Sequence, residues 1–460
     1  MHSEGTRRTY LVLLAVLVAA CLAGRAYLFA RPIPCYSSER QVPPSPSLTT
    51  PAGLGYGYDP HDYLFLAHRL SSGQGFTYED GKPTAFRPPL LLAAIRPGFP
   101  SASTSPLWWN FAFSSLAILC IALVAARESG FFGFAAIILL LSFHPHWLQA
   151  DAHIWSEPLY MLLVSLSVLL WSLQGGREPE AKRGVLLSVA GIALGLACLI
   201  RPFTLFAVAV AVIYLLTTPR RKTLAAAGIG FCLLSAVFPA AWMLRNHLAA
   251  GMPAALTTNG GMNLYIGNNP EGIHWASELD RSAAYREIMA GRTRAPEPEV
   301  DGAFYKRAVS YIKADPAAAF RRSFAKCREF LSLFPHSSTP RRALTLLILL
   351  PLMALGVVRG IRQERFGLVM AFALFITGLL AYSAYWVWWR LALPYMPLAW
   401  LLCLSGMSFV AERLRPAPAS CARSEQAEAH NRSQAPCAAG QNAATSGRAL
   451  IESEEPLVRS

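Results

Sequence analysis

The sequence predicts an all-α, polytopic membrane protein with about ten transmembrane helices. Three observations carry this. Of 460 residues, 54% are hydrophobic and only 15% charged, where soluble chains are nearer to about a quarter charged. Apolar runs close to the roughly 20 residues that cross a hydrocarbon core recur along the chain. The basic residues lie between those runs. The net charge of +14 is therefore spread over short connections, which argues for a membrane and against nucleic acid as a partner. Nine Cys in this length do not make a disulfide scaffold.

The spans fall near Tyr10–Ala30, Pro106–Ala126, Phe131–Gln149, Pro158–Leu173, Gly184–Ile200, Phe203–Thr218, Thr223–Leu244, Ala343–Val358, Phe366–Ala384 and Leu391–Val410. Arg7 and Arg8 precede the first. With that end inside, Arg127, the segment 177–183, Lys222, the segment 359–365 and Arg413 also fall inside, as positive-inside loops should. The chain then divides into a first span (1–30), an outer segment (31–105), six spans (106–245), a second outer segment (246–342), three spans (343–410) and a polar tail (411–460). The tail is rich in Ala, Ser, Glu and Arg without apolar period, and reads as disordered and cytoplasmic. Cys35 and Cys327 are the outer-face cysteines, either a disulfide or two thiols.

The outer segment after the first span is the most informative stretch. From Pro60, Tyr63, Leu64, Leu66, Ala67 and Leu70 recur at helical spacing, which predicts a short amphipathic helix at the membrane surface. Gly73 and Gly75 end it. Asp59 and Asp62 stand at its start. Both suit a helix start, as N-cap and as the acidic partner of a capping box. The same geometry aims a carboxylate at the membrane mouth, where it can take a proton or hold a cation. Downstream, Phe86-Arg87-Pro88-Pro89 pins Arg87 in extended backbone. A second outer mouth carries Asp151, His153 and Glu157, the last followed by Pro158. Arg201-Pro202 lies between two apolar spans, where a charge is costly. Arg390 opens the last span behind three Trp, and Lys326 sits in a basic stretch from Arg321 to Arg328. Snorkelling to headgroups is the bland alternative for these arginines, and an anionic-lipid surface for the basic stretch.

Asp59 four residues before Tyr63, the Leu-x-x-Gly-x-Gly-Phe run to Phe76, and Pro83-Thr84-Ala85-Phe86-Arg87-Pro88-Pro89 resemble the first outer loop of bacterial C-type glycosyltransferases. These are relatives of the protein O-mannosyltransferases and the lipid A aminoarabinose transferase. The stretches Trp242–Asn246 and Thr257–Pro270, Tyr305–Ile312 with Lys326, and Arg390–Pro394 are similar to later parts of that family. The likeness covers roughly residues 10–410. A Pro- and Ser-rich insertion at 38–56 and Leu90-Leu91-Leu92 after the prolines depart from it.

The resemblance implies the GT-C fold and an inverting transfer of a sugar from a polyprenyl-phosphate donor to a lipid, glycan or protein acceptor. The reaction would run on the outer face of a bacterial inner membrane. It implies Asp59 as base, with Asp62 second, and Glu157 as the acid before the fourth span. Arg87, Arg201, Arg390 and Lys326 would receive the donor phosphate. Such chemistry needs cations where the leaving phosphate gathers charge and a base at the acceptor. No cofactor is required by the motifs. Outer carboxylates leave room for a divalent cation, which no ligand spacing demands. The competing classes are a transporter or flippase of lipid-linked sugars, which calls for ionisable groups at mid-span, and an inactive relative that only binds polyprenyl lipid.

The charge pattern sets the orientation. Reporter fusions at Ser45 and Ala284 should read outside and one at Gly440 inside; a periplasmic signal at Gly440 would reverse the topology.

Overall fold

The computed structural model describes residues 4–30, 59–78, 81–95, 105–175, 179–217, 221–252, 256–272, 279, 282–290, 295–331, 344–385 and 389–414. The tail, Cys35 and the insertion lie outside them. Glu412–Ser460 clusters as a unit apart from the preceding chain. The first unit is helical, and its two parts, a membrane bundle and an outer layer, follow the hydropathy of the sequence.

In chain order the first elements are α1 (Glu4–Ala30), α2 (Asp59–Ser71), α3 (Pro89–Ile95), α4 (Ser105–Ser142), α5 (Pro145–Asp151) and α6 (Glu157–Ser172). Next come α7 (Glu180–Cys198), α8 (Thr204–Thr217), α9 (Arg221–Ala250), α10 (Gly260–Asn268), α11 (Ala283–Met289), α12 (Glu297–Ala314) and α13 (Pro316–Phe330). After a π-helical turn, Thr345–Leu349, follow α14 (Leu350–Arg362), α15 (Phe366–Ala384), α16 (Trp389–Ala392) and α17 (Met396–Leu414).

Among the described residues, 7 helices are long and apolar enough to cross a membrane, and α6 and α8 are shorter apolar helices. One of the 7 is a pair. Gly130 breaks α4 with φ 64 and ψ −155, a conformation open to glycine alone. The chain then doubles back, because Ser115 and Ile118 of the first half line one cavity with Ile138 and Ser142 of the second. Arg127 and Gly130, placed between two spans by the sequence, thus mark a helical hairpin. Counting it as two reconciles the structure with about ten spans.

Helix pairs close through glycine. A Cβ on Gly191 or Gly195 of α7 would lie 2.6 and 2.8 Å from the Phe231 and Ser235 carbonyls of α9. On Gly356 of α14 it would lie 2.1 Å from the Leu402 carbonyl of α17, and on Gly406 2.0 Å from that of Leu352. In lipid, where apolar burial between helices gives little drive, such backbone approach supplies the packing. At the end assigned to the inside, the buried Arg359 donates to the Glu128 carbonyl at 3.0 Å and Arg127 to that of Ser172 at 3.2 Å.

The outer layer has its own core of Met262, Tyr265, Ile288, Val300 and Phe304, and Phe86 of the first loop is buried in it. The sequence-predicted surface helix is α2, ended by Gly73 and Gly75 at φ 74 and 76. On α13, Phe320 and Phe324 stand exposed one turn apart, beside Arg321 and Arg328, the pattern of a helix lying at an interface.

Gly356→Ala should lower the unfolding free energy by about 1–3 kcal/mol, because the facing group is backbone and cannot swing aside. Gly184→Ala, with open space at its Cβ, should be neutral or stabilising by up to about 1 kcal/mol through helix propensity. Thermal unfolding in detergent measures both.

Candidate functional site

Glu157 is the first residue of α6, where Pro158 is favoured and a carboxylate suits the helix dipole. Arg201 follows α7 in a two-turn link that Pro202 breaks: its N–H donates to the Ala197 carbonyl at 2.9 Å and its carbonyl accepts from Thr204 at 3.0 Å. Arg390 lies on α16. Distant in sequence, the three meet. Arg201 Nη2 donates to Glu157 Oε1 at 3.0 Å, and Arg390 Nε donates to the same oxygen at 2.9 Å. Glu157 is 0% exposed and both arginines 6%. One carboxylate lies between two guanidiniums, and the formal charges of these three side chains sum to +1. Glu157 Oε2 and Arg201 Nε have no hydrogen-bond partner among the described residues. A buried acceptor and donor left bare are costly, so the centre is suited to a further polar group.

Aromatic rings wall the centre. Arg201 lies over Tyr160 at 5.1 Å and Tyr382 at 5.6 Å, and Arg390 over Trp155 at 4.5 Å. Such cation–π contacts hold a guanidinium away from water. The Tyr160 hydroxyl is within 3.0 Å of both Thr204 Oγ1 and the Tyr395 hydroxyl. This ties α6, the start of α8 and the approach to α17 together behind the arginines.

Lys326 works at the next layer. Its Nζ donates to the carbonyls of Gly267, Ala384 and Tyr385 at 3.1, 3.1 and 2.7 Å, and Asn268 adds a bond to Ala384 at 2.8 Å. These carbonyls end α10 and α15, where the helix dipole favours a cation. Burial, with Arg322 adding, pushes the Lys326 ammonium down to about 8. Phe330, one turn on, packs against Tyr382 and Tyr395.

The first loop carries a second set. Arg87 grips Asp62 Oδ2 through Nε at 2.9 Å and Nη2 at 2.5 Å and lies over Phe86 at 5.0 Å. Arg245 of α9 donates to the carbonyls of Thr84 and Phe76 at 2.9 and 3.0 Å. Glu297 Oε2 accepts from the Ala85 N–H at 3.0 Å and Thr258 Oγ1 at 2.6 Å. The two outer segments are thus joined through the loop that holds Arg87. Burial, with Asp62 and Glu297 nearby, raises the Tyr78 phenol.

The structure therefore brings Glu157, Arg201 and Arg390 into one centre, sets Asp62 against Arg87, and places Lys326 on helix-end carbonyls. Asp59 begins α2, and its side chain lies outside the described residues. Of the weaker candidates, Asp151 takes Arg25 and His153 Nδ1 lies 2.8 Å from the Gln149 carbonyl. For a divalent cation, no group of three His, Cys, Asp or Glu is found among the described residues; Asp62 and Glu157 face arginines instead. Sequence reasoning missed Tyr160, Tyr382 and Arg245. A charged residue directly at the end of an apolar span was the available signal for Arg245; nothing marked the tyrosines among the many aromatic residues.

Glu157→Ala leaves two buried guanidiniums without their carboxylate and should destabilise the protein by about 3–5 kcal/mol, with Glu157→Gln milder because an acceptor oxygen survives. Lys326 gives a pH test. The folded protein releases this proton near pH 8 and the unfolded chain near 10.5, so the unfolded state binds more protons between them and stability from this group rises with pH there. The difference in unfolding free energy between wild type and Lys326→Met should show that rise between pH 8 and 10.5.

No family model and no curated protein matches the chain. Among solved structures it is similar to ArnT from Cupriavidus metallidurans bound to undecaprenyl phosphate, at 14% identity over 89% of this chain and 78% of that one, with a TM-score of 0.35.

Proposed function

We propose that the chain is an inverting glycosyltransferase that moves a sugar from a polyprenyl-phosphate donor to a lipid, glycan or protein on the outer face of a bacterial inner membrane. The observation that carries this reading is the buried centre in which Arg201 and Arg390 share one oxygen of Glu157. A phosphate leaving group needs no strong acid. It needs positive charge fixed in advance in a place that water does not screen. Two guanidiniums stacked on aromatic rings meet that need, and planar forks suit phosphate oxygens.

In this reading Glu157 sets the spacing and orientation of the two arginines, and Arg201 Nε is a donor left for the ligand. Arg87, held by Asp62, is the cation of the first loop. Lys326 supports the site through the carbonyls that end α15 rather than by touching phosphate. Asp59 takes the acceptor's proton, on the strength of its place in the first-loop pattern. A flippase fits less well, since the Glu157, Arg201 and Arg390 centre sits at helix ends.

The test is transfer from purified polyprenyl-phosphate sugars by the protein in nanodiscs. Asn caps a helix as well as Asp but lacks a basic oxygen. Asp59→Asn should therefore keep donor binding and lose about 10²-fold or more in turnover. Near-normal transfer would remove Asp59 from the mechanism. In cells, deletion should accumulate a lipid-linked sugar, seen by mass spectrometry. An unchanged lipid pool and unchanged envelope glycans would contradict the enzyme reading.

A further inference from the structure

Helix α13 has two faces with different surroundings. On one, Phe330 is buried and packs on Phe375, Tyr382 and Tyr395 at ring distances of 5.5, 5.9 and 5.4 Å. Lys326 of the same face holds the carbonyls that end α10 and α15. On the other face Ala317, Phe320, Arg321, Phe324, Ala325 and Arg328 recur at helical spacing and are all exposed. Phe320 and Phe324 are 72% and 64% exposed, far more than a soluble surface gains from. No acid shares this exposed stripe. The acid before the helix, Asp315, is engaged as its cap and accepts from the Ala318 N–H at 2.8 Å.

Depth says what the stripe meets. Phe375, the deepest ring that Phe330 touches, lies nine residues before the last residue of α15, or about 13 Å along that span. The end of α13 therefore reaches into the leaflet on the side assigned to the outside. Lys326, on the Ala384 carbonyl, marks the mouth of the span. Phe324 and Phe320 precede Lys326 by two and six residues, at most about 3 and 9 Å along the helix axis. That range matches the interfacial layer, where an amphipathic helix seats its apolar side roughly 5–10 Å deep. Rings then lie among acyl chains while the neighbouring guanidiniums reach phosphates. Charge selects the lipid. Arg321 and Arg328, with no acid beside them, favour a headgroup of net negative charge over a zwitterionic one. A second copy of the chain fits worse, since a two-fold contact across the stripe would set its arginines against each other. We propose that the exposed stripe of α13 docks on anionic phospholipid, and that this docking holds Lys326 and Phe330, on the opposite face, against the end of α15.

The experiment follows amide hydrogen exchange by mass spectrometry in the full-length protein, held in nanodiscs of phosphatidylcholine or of phosphatidylcholine mixed with phosphatidylglycerol of the same acyl chains. Phosphatidylglycerol should slow exchange over α13 by about tenfold, as expected for two arginines drawn to an anionic surface, and should slow it at the end of α15 as well. High salt should remove both gains. The double variant Arg321→Gln, Arg328→Gln changes only exposed side chains, so it should fold normally and respond to phosphatidylglycerol at neither helix. Equal exchange of wild-type α13 in the two membranes would overturn the lipid site. So would protection that follows the number of protein copies per disc, which would assign the stripe to a second copy. A response at the end of α15 that is absent in the wild type, or that survives in the double variant, would overturn the coupling.

Discussion

The site depends on one constraint: a carboxylate that cannot reach water is shared by two guanidiniums. Glu157 is fixed at the start of α6 by the helix itself. Arg201 comes from the break between α7 and α8, and Arg390 from the short helix before α17. Each of those breaks interrupts an apolar run, and each places a charge where it is costly unless paired. The pairing thus fixes where three hairpin connections meet. Two donors on one oxygen also leave the second oxygen bare, so the cluster is stable as a scaffold yet unfinished as a hydrogen-bond network. That combination suits a binding centre better than a purely structural ion pair.

The outer layer supports the same point from above. Lys326 and Asn268 converge on the carbonyl of Ala384, the last residue of α15, six positions before Arg390. Phe330 packs on Tyr382 and Tyr395, and Tyr382 lies beneath the Arg201 guanidinium. Movement of the outer segment would be felt first at the aromatic wall. Phe86, buried in the core of that segment, carries the coupling on to Arg87 and the first loop.

Much of the architecture was legible because lipid imposes simple rules. Apolar length fixed the spans, and Phe366–Ala384 matches its helix end to end. The hairpin at Gly130 was visible as a polar gap, although the backbone reversal itself needs a φ that sequence does not print. The convergence of Glu157, Arg201 and Arg390 was legible only as three separate costs: a charge beside an apolar span asks for a partner without naming it. Lys326 illustrates the opposite case. A lysine in a basic amphipathic helix reads as a lipid-facing charge, whereas here it is turned toward helix-end carbonyls, which carry no side-chain signal. Arg25 gave the clearest unused signal, a lone cation within the first span.

The central claim is that the Arg201–Arg390 pair recognises a lipid phosphate. The most direct measurement compares the affinity for polyprenyl phosphate with that for the uncharged polyprenol in wild type, Arg201→Gln, Arg390→Gln and the double variant. The account predicts that wild type prefers the phosphate, that each single variant loses much of that preference, and that the double loses less than the sum, since both arginines act on one group. A double variant that keeps the full preference for phosphate would contradict it.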